Sequence, residues 1–242
     1  MLAALAVLTI PVVATAAQAH DDADTPILGI VRANDYFSPS GPNDQRYNGH
    51  KVFLSSPRHN DSGDRGECRN PGYEENVNGR QFNWRAANGN FIGRAYRPTY
   101  STRNLHGRGY QVAVSKNTRD NGHLNNRTRS RNWGSDVHII THTNATTGCN
   151  ASASYLLTMY QHTNDRGLAT ALGRALDPAV PSNFRQSRRP DLAELRTNAP
   201  RGDAYVELQF HDNQTTQKWI HSESVFAAWR YGIGVDRHLN YP

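Results

Sequence analysis

Five short apolar runs punctuate an otherwise polar chain: 51–55 (KVFLS), 110–115 (YQVAVS), 137–142 (VHIITH), 154–160 (SYLLTMY) and 205–210 (YVELQF). Their near-continuous apolar and β-branched character predicts strands buried on both faces, as in an α/β sheet. Helical spacing lies between them. Residues 75–92 place Val77, Phe82, Trp84, Ala86 and Phe91 in a loose helical pattern, with Gly79 and Gly89 inside it. Residues 122–134 read as a polar helix with Leu124 facing in, and 165–177 (DRGLATALGRALD) as an amphipathic helix stopped by Pro178. A C-terminal helix over 214–232 would carry Trp219, Ile220, Val225, Phe226 and Trp229. Strands alternating with helices imply crossover connections. The predicted fold is a single α/β domain, a twisted and mostly parallel sheet with helices on both faces.

The chain's start has another pattern. Residues 1–19 are uncharged, mostly Ala, Val and Leu, and end in Ala17-Gln18-Ala19 before the charged Asp21 and Asp22, the form of a signal peptide with its cleavage site. Pro11 interrupts the run, and 19 residues barely reach the roughly 18–20 that a membrane span needs, so a retained anchor is the weaker reading. Residues 20–48, rich in Asp, Pro, Asn and Ser, read as an extended lead-in, and 49–242 as the folded domain. The expectation is a secreted, extracellular or wall-associated protein with no stable membrane insertion after cleavage. In that setting the two cysteines, Cys68 and Cys149, are expected to pair. The net charge of +6 suits contact with anionic polymers outside the cell, or simple solubility. No motif of a nucleic-acid-binding fold accompanies it.

In a parallel sheet, sites sit at the carboxyl ends of the strands. The first run leads into Ser56-Pro57-Arg58-His59, the third ends at His142, and the last carries Glu207. Glu74 opens the first predicted helix and belongs to the same edge. Two imidazoles and a carboxylate make a zinc site with an open position for water, and a second carboxylate nearby can take that water's proton. Taken singly, His59 and His142 are more often structural histidines; His138 and His211 are the nearest decoys. Arg201-Gly202-Asp203 reads as the turn before the last strand.

These residues carry a resemblance. The run KVFLSSPRHND, the stretch PGYEENVN, the segment GYQVAVSKNTRDNGHLNNRTRSRN, the motif ITHTNA and the motif VELQFHDN succeed one another as in the zinc-dependent N-acetylmuramoyl-L-alanine amidases of the type-3 class. The likeness covers roughly 51–235, and its strength lies in the order of individually weak motifs. It implies one Zn²⁺ per chain on His59, Glu74 and His142, with Glu207 as the catalytic carboxylate. The Val77-Asn78 alignment selects Glu74 over Glu75 as the ligand. Leu124, Arg127 and Asn132 fall on matching positions, and Arg127 and Asn144 become candidates for supporting or substrate contacts. Arg58 and Asn60 stand where the family has glycines, and Gln209 replaces another near the expected substrate path.

The resemblance further implies a hydrolase cutting the amide between N-acetylmuramic acid and the L-alanine of the stem peptide, and a monomer is the separate expectation. Its partners would be peptidoglycan and anionic wall polymers, not nucleic acid. A Cys68–Cys149 disulfide would tie the segment between His59 and Glu74 to the one after His142. Two rivals remain: a zinc peptidase or carboxypeptidase within the stem peptide, and a wall-binding module without catalysis.

Overall fold

The fold comes from a computed structural model, which describes residues 36–37, 48–57, 75–88, 91–92, 95–96, 104–115, 123–146, 152–220 and 224–240. The strands are β1 (Tyr36–Phe37), β2 (Lys51–Ser55), β3 (Phe91–Ile92), β4 (Ala95–Tyr96), β5 (Gln111–Ser115), β6 (Val137–Asn144), β7 (Leu156–Tyr160), β8 (Phe184–Arg188) and β9 (Asp203–Phe210). The helices are α1 (Glu75–Asn88), α2 (His123–Trp133), α3 (Asp165–Leu176), α4 (Gln214–Lys218) and α5 (Ser224–Leu239).

Seven strands form the main sheet in the order β1-β5-β2-β6-β9-β7-β8, and β3 and β4 make a separate hairpin. The four central strands β5, β2, β6 and β9 are mutually parallel, as their unbroken apolar runs predicted. The edges depart from that pattern: β7 runs antiparallel to β9 with β8 parallel to β7, and β1 is antiparallel to β5. Part of the 20–48 segment thus supplies an edge strand.

One face of the sheet packs against α1, α3 and α5, burying Val52, Leu54, Val112, Val114, Ile139, Val206 and Leu208 with Leu168, Leu172, Tyr231 and Val235. The opposite face holds a smaller cluster of Ile140, Tyr155, Leu157, Met159, Tyr205 and Phe210, covered by Leu192 and Leu195 from the chain after β8. The polar α2 lies on this side, with Trp133 against Phe53 and Lys51. Within the predicted C-terminal helix the described residues hold α4 and α5, and residues 221–223 between them lie outside the described residues. Asn213 caps α4 by accepting from the Thr215 and Thr216 amides, and α5 continues to Leu239, beyond the expected end.

Helix α1 descends from the carboxyl edge of the sheet at unusually close range. A Cβ on Gly79 would lie 1.9 Å from the Thr141 carbonyl oxygen and 2.5 Å from Ser56 Oγ. One turn on, Asn83 Nδ2 donates to the Ser55 carbonyl (3.0 Å), and its Oδ1 accepts from Thr141 Oγ1 (2.7 Å). Because Thr141 donates there, the Tyr231 hydroxyl donates to Thr141 at 2.8 Å. Glycine inside a helix costs about 1 kcal/mol relative to Ala, yet here the close approach requires it. Gly79→Ala is expected to destabilise by about 1–3 kcal/mol through overpacking, read from urea unfolding midpoints. Wild-type stability in that variant would mean that α1 does not sit this tightly on β6.

Candidate active site

Strand β6 is buried along its whole length, and His142, two residues before its end, is completely inaccessible. The parallel register pairs His142 with Glu207 of β9. Partners in register on adjacent strands point to the same face and lie about 4.8 Å apart. The imidazole and the carboxylate are therefore neighbours on the face opposite α1, α3 and α5. Immediately beyond them the register slips, and Asn144 meets Phe210. The His142–Glu207 pair is the last regular rung before an irregularity that re-aims the strand ends, a common device beside sites.

Two residues earlier on β9, Tyr205 stacks on the His142 ring with centroids 5.2 Å apart and planes 24° from parallel. That contact fixes the imidazole plane at the strand end. Glu207 is half-buried as a residue, but its Oε2 is enclosed and accepts no hydrogen bond among the described residues. Burial, reinforced by the nearby Glu194 carboxylate and opposed by Arg189, pushes its pKa up to about 8. A carboxyl held near neutrality with one oxygen enclosed and unbonded among the described residues is poised to exchange a proton.

The surroundings of Glu207 include residues that motif reading did not single out. Glu194 sits in a 3-10 turn, Ala193–Leu195, inserted between the buried Leu192 and Leu195. Its only sequence signal is an acidic residue inside the apolar spacing of DLAEL. Arg189 is held by Asp191 through bonds of 2.9, 3.2 and 2.7 Å, which leaves its charge within reach of Glu207. Tyr155, with Arg185 over its ring at 4.3 Å, also feels the Glu207 charge.

Other predicted residues fall into place differently. Arg127 on α2 lies over the same sheet face, in the fields of Glu194 and Asp203 and of two further arginines, Arg131 and Arg196, while burial lowers its pKa. It neighbours the acid beside Glu207. Asn144 is buried; its Oδ1 accepts from the Ala145 amide (2.8 Å) and its carbonyl from the His211 amide (2.8 Å), so it shapes the end of β6. Gln209 is buried and bonded to Ser154 and Ser182, tying β9 to the starts of β7 and β8. His138 is a structural histidine, held between Ser55 Oγ (2.7 Å) and Thr197 Oγ1 (2.5 Å), with burial lowering its pKa to about 3. Gly202 adopts φ +128° in the turn before β9, as the Arg-Gly-Asp reading required.

His59, Glu74, Glu75's side chain, Leu124's side chain, Cys68, Cys149 and the 1–19 segment lie outside the described residues. Among the described residues no three His, Cys, Asp or Glu gather as a metal-ligand group. Three features nevertheless suit a divalent ion: a buried imidazole at a strand end, a neighbouring carboxylate with an enclosed free oxygen, and a first helix starting at the same edge. No helix among the described residues is long and apolar enough to cross a membrane.

No family model and no curated protein sequence matches the chain. Solved structures do. The catalytic domain of CwlV, an N-acetylmuramoyl-L-alanine amidase from Bacillus (Paenibacillus) polymyxa var. colistinus, superposes with a TM-score of 0.60 at 12% identity, over 79% of this chain and 99% of that one. The chain shares the fold of that catalytic domain. An N-acetylmuramyl-L-alanine amidase of Mycobacterium smegmatis gives 0.60 at 13% identity, covering 80% and 98% of the two chains. The amidase AmiC2 of Nostoc punctiforme gives 0.59 at 14% identity, covering 79% and 96%. The amidase fold accounts for the mixed sheet with its parallel centre and for nearly the full length of each of these neighbours.

Proposed function

We propose that the chain is a secreted, zinc-dependent peptidoglycan hydrolase that cuts the amide between N-acetylmuramic acid and the L-alanine of the stem peptide. The observation that carries this reading is the pairing of His142 with Glu207 on the last regular rung of β6 and β9, with Glu207 Oε2 enclosed and free of hydrogen bonds among the described residues. The amidase fold supports it, as does the order of the sequence motifs. In this reading His59, Glu74 and His142 hold the zinc, which supplies a Lewis acid for the amide carbonyl and for a water molecule when bound.

The protein's own side chains do the rest. Tyr205 keeps the His142 ring in its plane, and Glu207 takes a proton from the attacking water and returns it to the departing L-alanine nitrogen. Glu194 and burial hold Glu207 basic enough to accept that proton, and Arg189 limits how far its pKa rises. A Cys68–Cys149 disulfide ties the segment between His59 and Glu74 to the one after His142 outside the cell.

Digestion of purified peptidoglycan, with and without a chelator, tests the proposal by its products. New L-alanine amino termini, no new reducing sugar ends, loss of activity with chelator and recovery with Zn²⁺ are expected. A new terminus within the stem peptide would instead make the protein a peptidase. Zinc bound without any product would leave a wall-binding module.

A further inference from the structure

On the face of the molecule away from Glu207, α3 and α5 border an open groove of about 620 Å³ lined by Thr163, Arg166, Gly167, Thr170, Ala171, Arg174 and Arg237. We infer that this groove binds a flexible phosphodiester polyanion, built of small neutral units joined by phosphates. Arg166, Thr170 and Arg174 are four residues apart along α3 and so form one stripe. Arg237, in the last turn of the antiparallel α5, faces the same groove.

All three arginines are exposed, and none makes an ion pair among the described residues. The reason is visible in their own helices. Asp165 is buried and accepts from the His162 and Asp203 amides, Asp177 accepts from the Phe184 amide, and Asp236 is taken by Arg108 and Tyr110. These three acids of the flanking segments are turned elsewhere, and no carboxylate lines the groove among the described residues.

The spacing decides the kind of anion. Eight residues of helix separate Arg166 from Arg174, a rise of about 12 Å, so when extended the two side chains offer two separate anchors rather than one. The separation also exceeds the Debye length of roughly 8–10 Å at 0.1–0.15 M salt, so the two charges tolerate each other without a counterion between them. A chain with repeating anions can meet both, and guanidinium forks suit phosphate oxygens in bidentate contacts. The groove has no aromatic side chain on which bases could stack, which argues against a nucleic acid. At Gly167 the two helices lie close, since a Cβ there would come 3.3 Å from His238 Nδ1.

Binding of synthetic poly(glycerol phosphate) to the full-length protein, titrated between 50 and 200 mM salt, tests this without recourse to enzyme activity. Wild type is expected to bind with a log–log salt slope near −2, since each guanidinium on a flexible polyanion contributes roughly 0.7. The triple variant Arg166→Gln, Arg174→Gln, Arg237→Gln should bind at least tenfold more weakly with a slope near zero. Ala171→Glu, which adds one acid to the groove, should weaken binding in the same direction. A control triple of equal net charge on the rest of the surface, Arg131→Gln, Arg196→Gln, Lys218→Gln, should stay within threefold of wild type. Equal losses in both triples would reduce the effect to net charge and overturn the proposal. So would binding of poly-L-glutamate or inorganic phosphate as tight as the polymer's, tighter binding of single-stranded DNA, or no binding at all.

Discussion

Glu207→Gln is expected to lower kcat on peptidoglycan by about 10²–10⁴-fold, the usual contribution of a positioned general base, while zinc stays bound. Glutamine keeps the shape of the side chain and its place opposite His142 but cannot take a proton. The wild-type activity should rise with pH as Glu207 ionises, along a limb lying between the ordinary glutamate value near 4.3 and about 8. The variant's residual activity should lack that limb. A second readout separates catalysis from structure. In the metal-free protein the folded state holds the Glu207 proton more tightly than the unfolded chain does, so this group's stabilisation is full at low pH and is lost as pH rises through about 8. Glu207→Gln removes that loss. Its metal-free Tm should equal the wild type's near pH 4 and exceed it by pH 9. A variant less stable than wild type at pH 9 would mean that the carboxylate is held by a structural partner, and the catalytic assignment would fail.

His142→Ala is expected to abolish both zinc binding and activity. The loss in zinc affinity should exceed the roughly 10–100-fold typical of removing an outer partner of a metal ligand, because the imidazole is itself a proposed ligand. Alanine also empties a fully buried site beside Tyr205, so a folding defect could imitate metal loss. His142→Phe guards against that confusion. It preserves an aromatic ring for Tyr205 to stack on and removes both ring nitrogens. A folded His142→Phe protein that retains one zinc per chain and its turnover would show that the metal is held elsewhere.

The central strands were legible because burial on both faces leaves a continuous apolar run, and β2, β6 and β9 begin or end within two residues of the predicted bounds. Strand β8 (FRQSR) was not legible: an edge strand exposed along part of its length has no apolar requirement to reveal it. Its charged side chains blunt an otherwise open edge. The C-terminal helix read from sequence over 214–232 ends too early, since α5 runs to Leu239. Within the site, sequence spacing placed His142 and Glu207 at strand ends but could not place them on one rung. Register depends on which strands are neighbours, and β9 inserts between β6 and β7 against chain order. Glu194 escaped notice because a short 3-10 turn has no periodicity to expose a buried acid.

That insertion of β9 also sets when the proposed catalytic pair can form. The partners His142 and Glu207 are separated in the chain by β7, α3 and β8, and the rung joining them cannot form until β9 slides into the gap beside β6. Pairings so distant in sequence close late and slowly. A growing chain released up to β8 contains all three proposed metal ligands, His59, Glu74 and His142, and lacks Glu207, the proposed general base. On the proposed mechanism the pair is completed only by the stretch from Asp203 on, and a chain without it is expected to show no turnover.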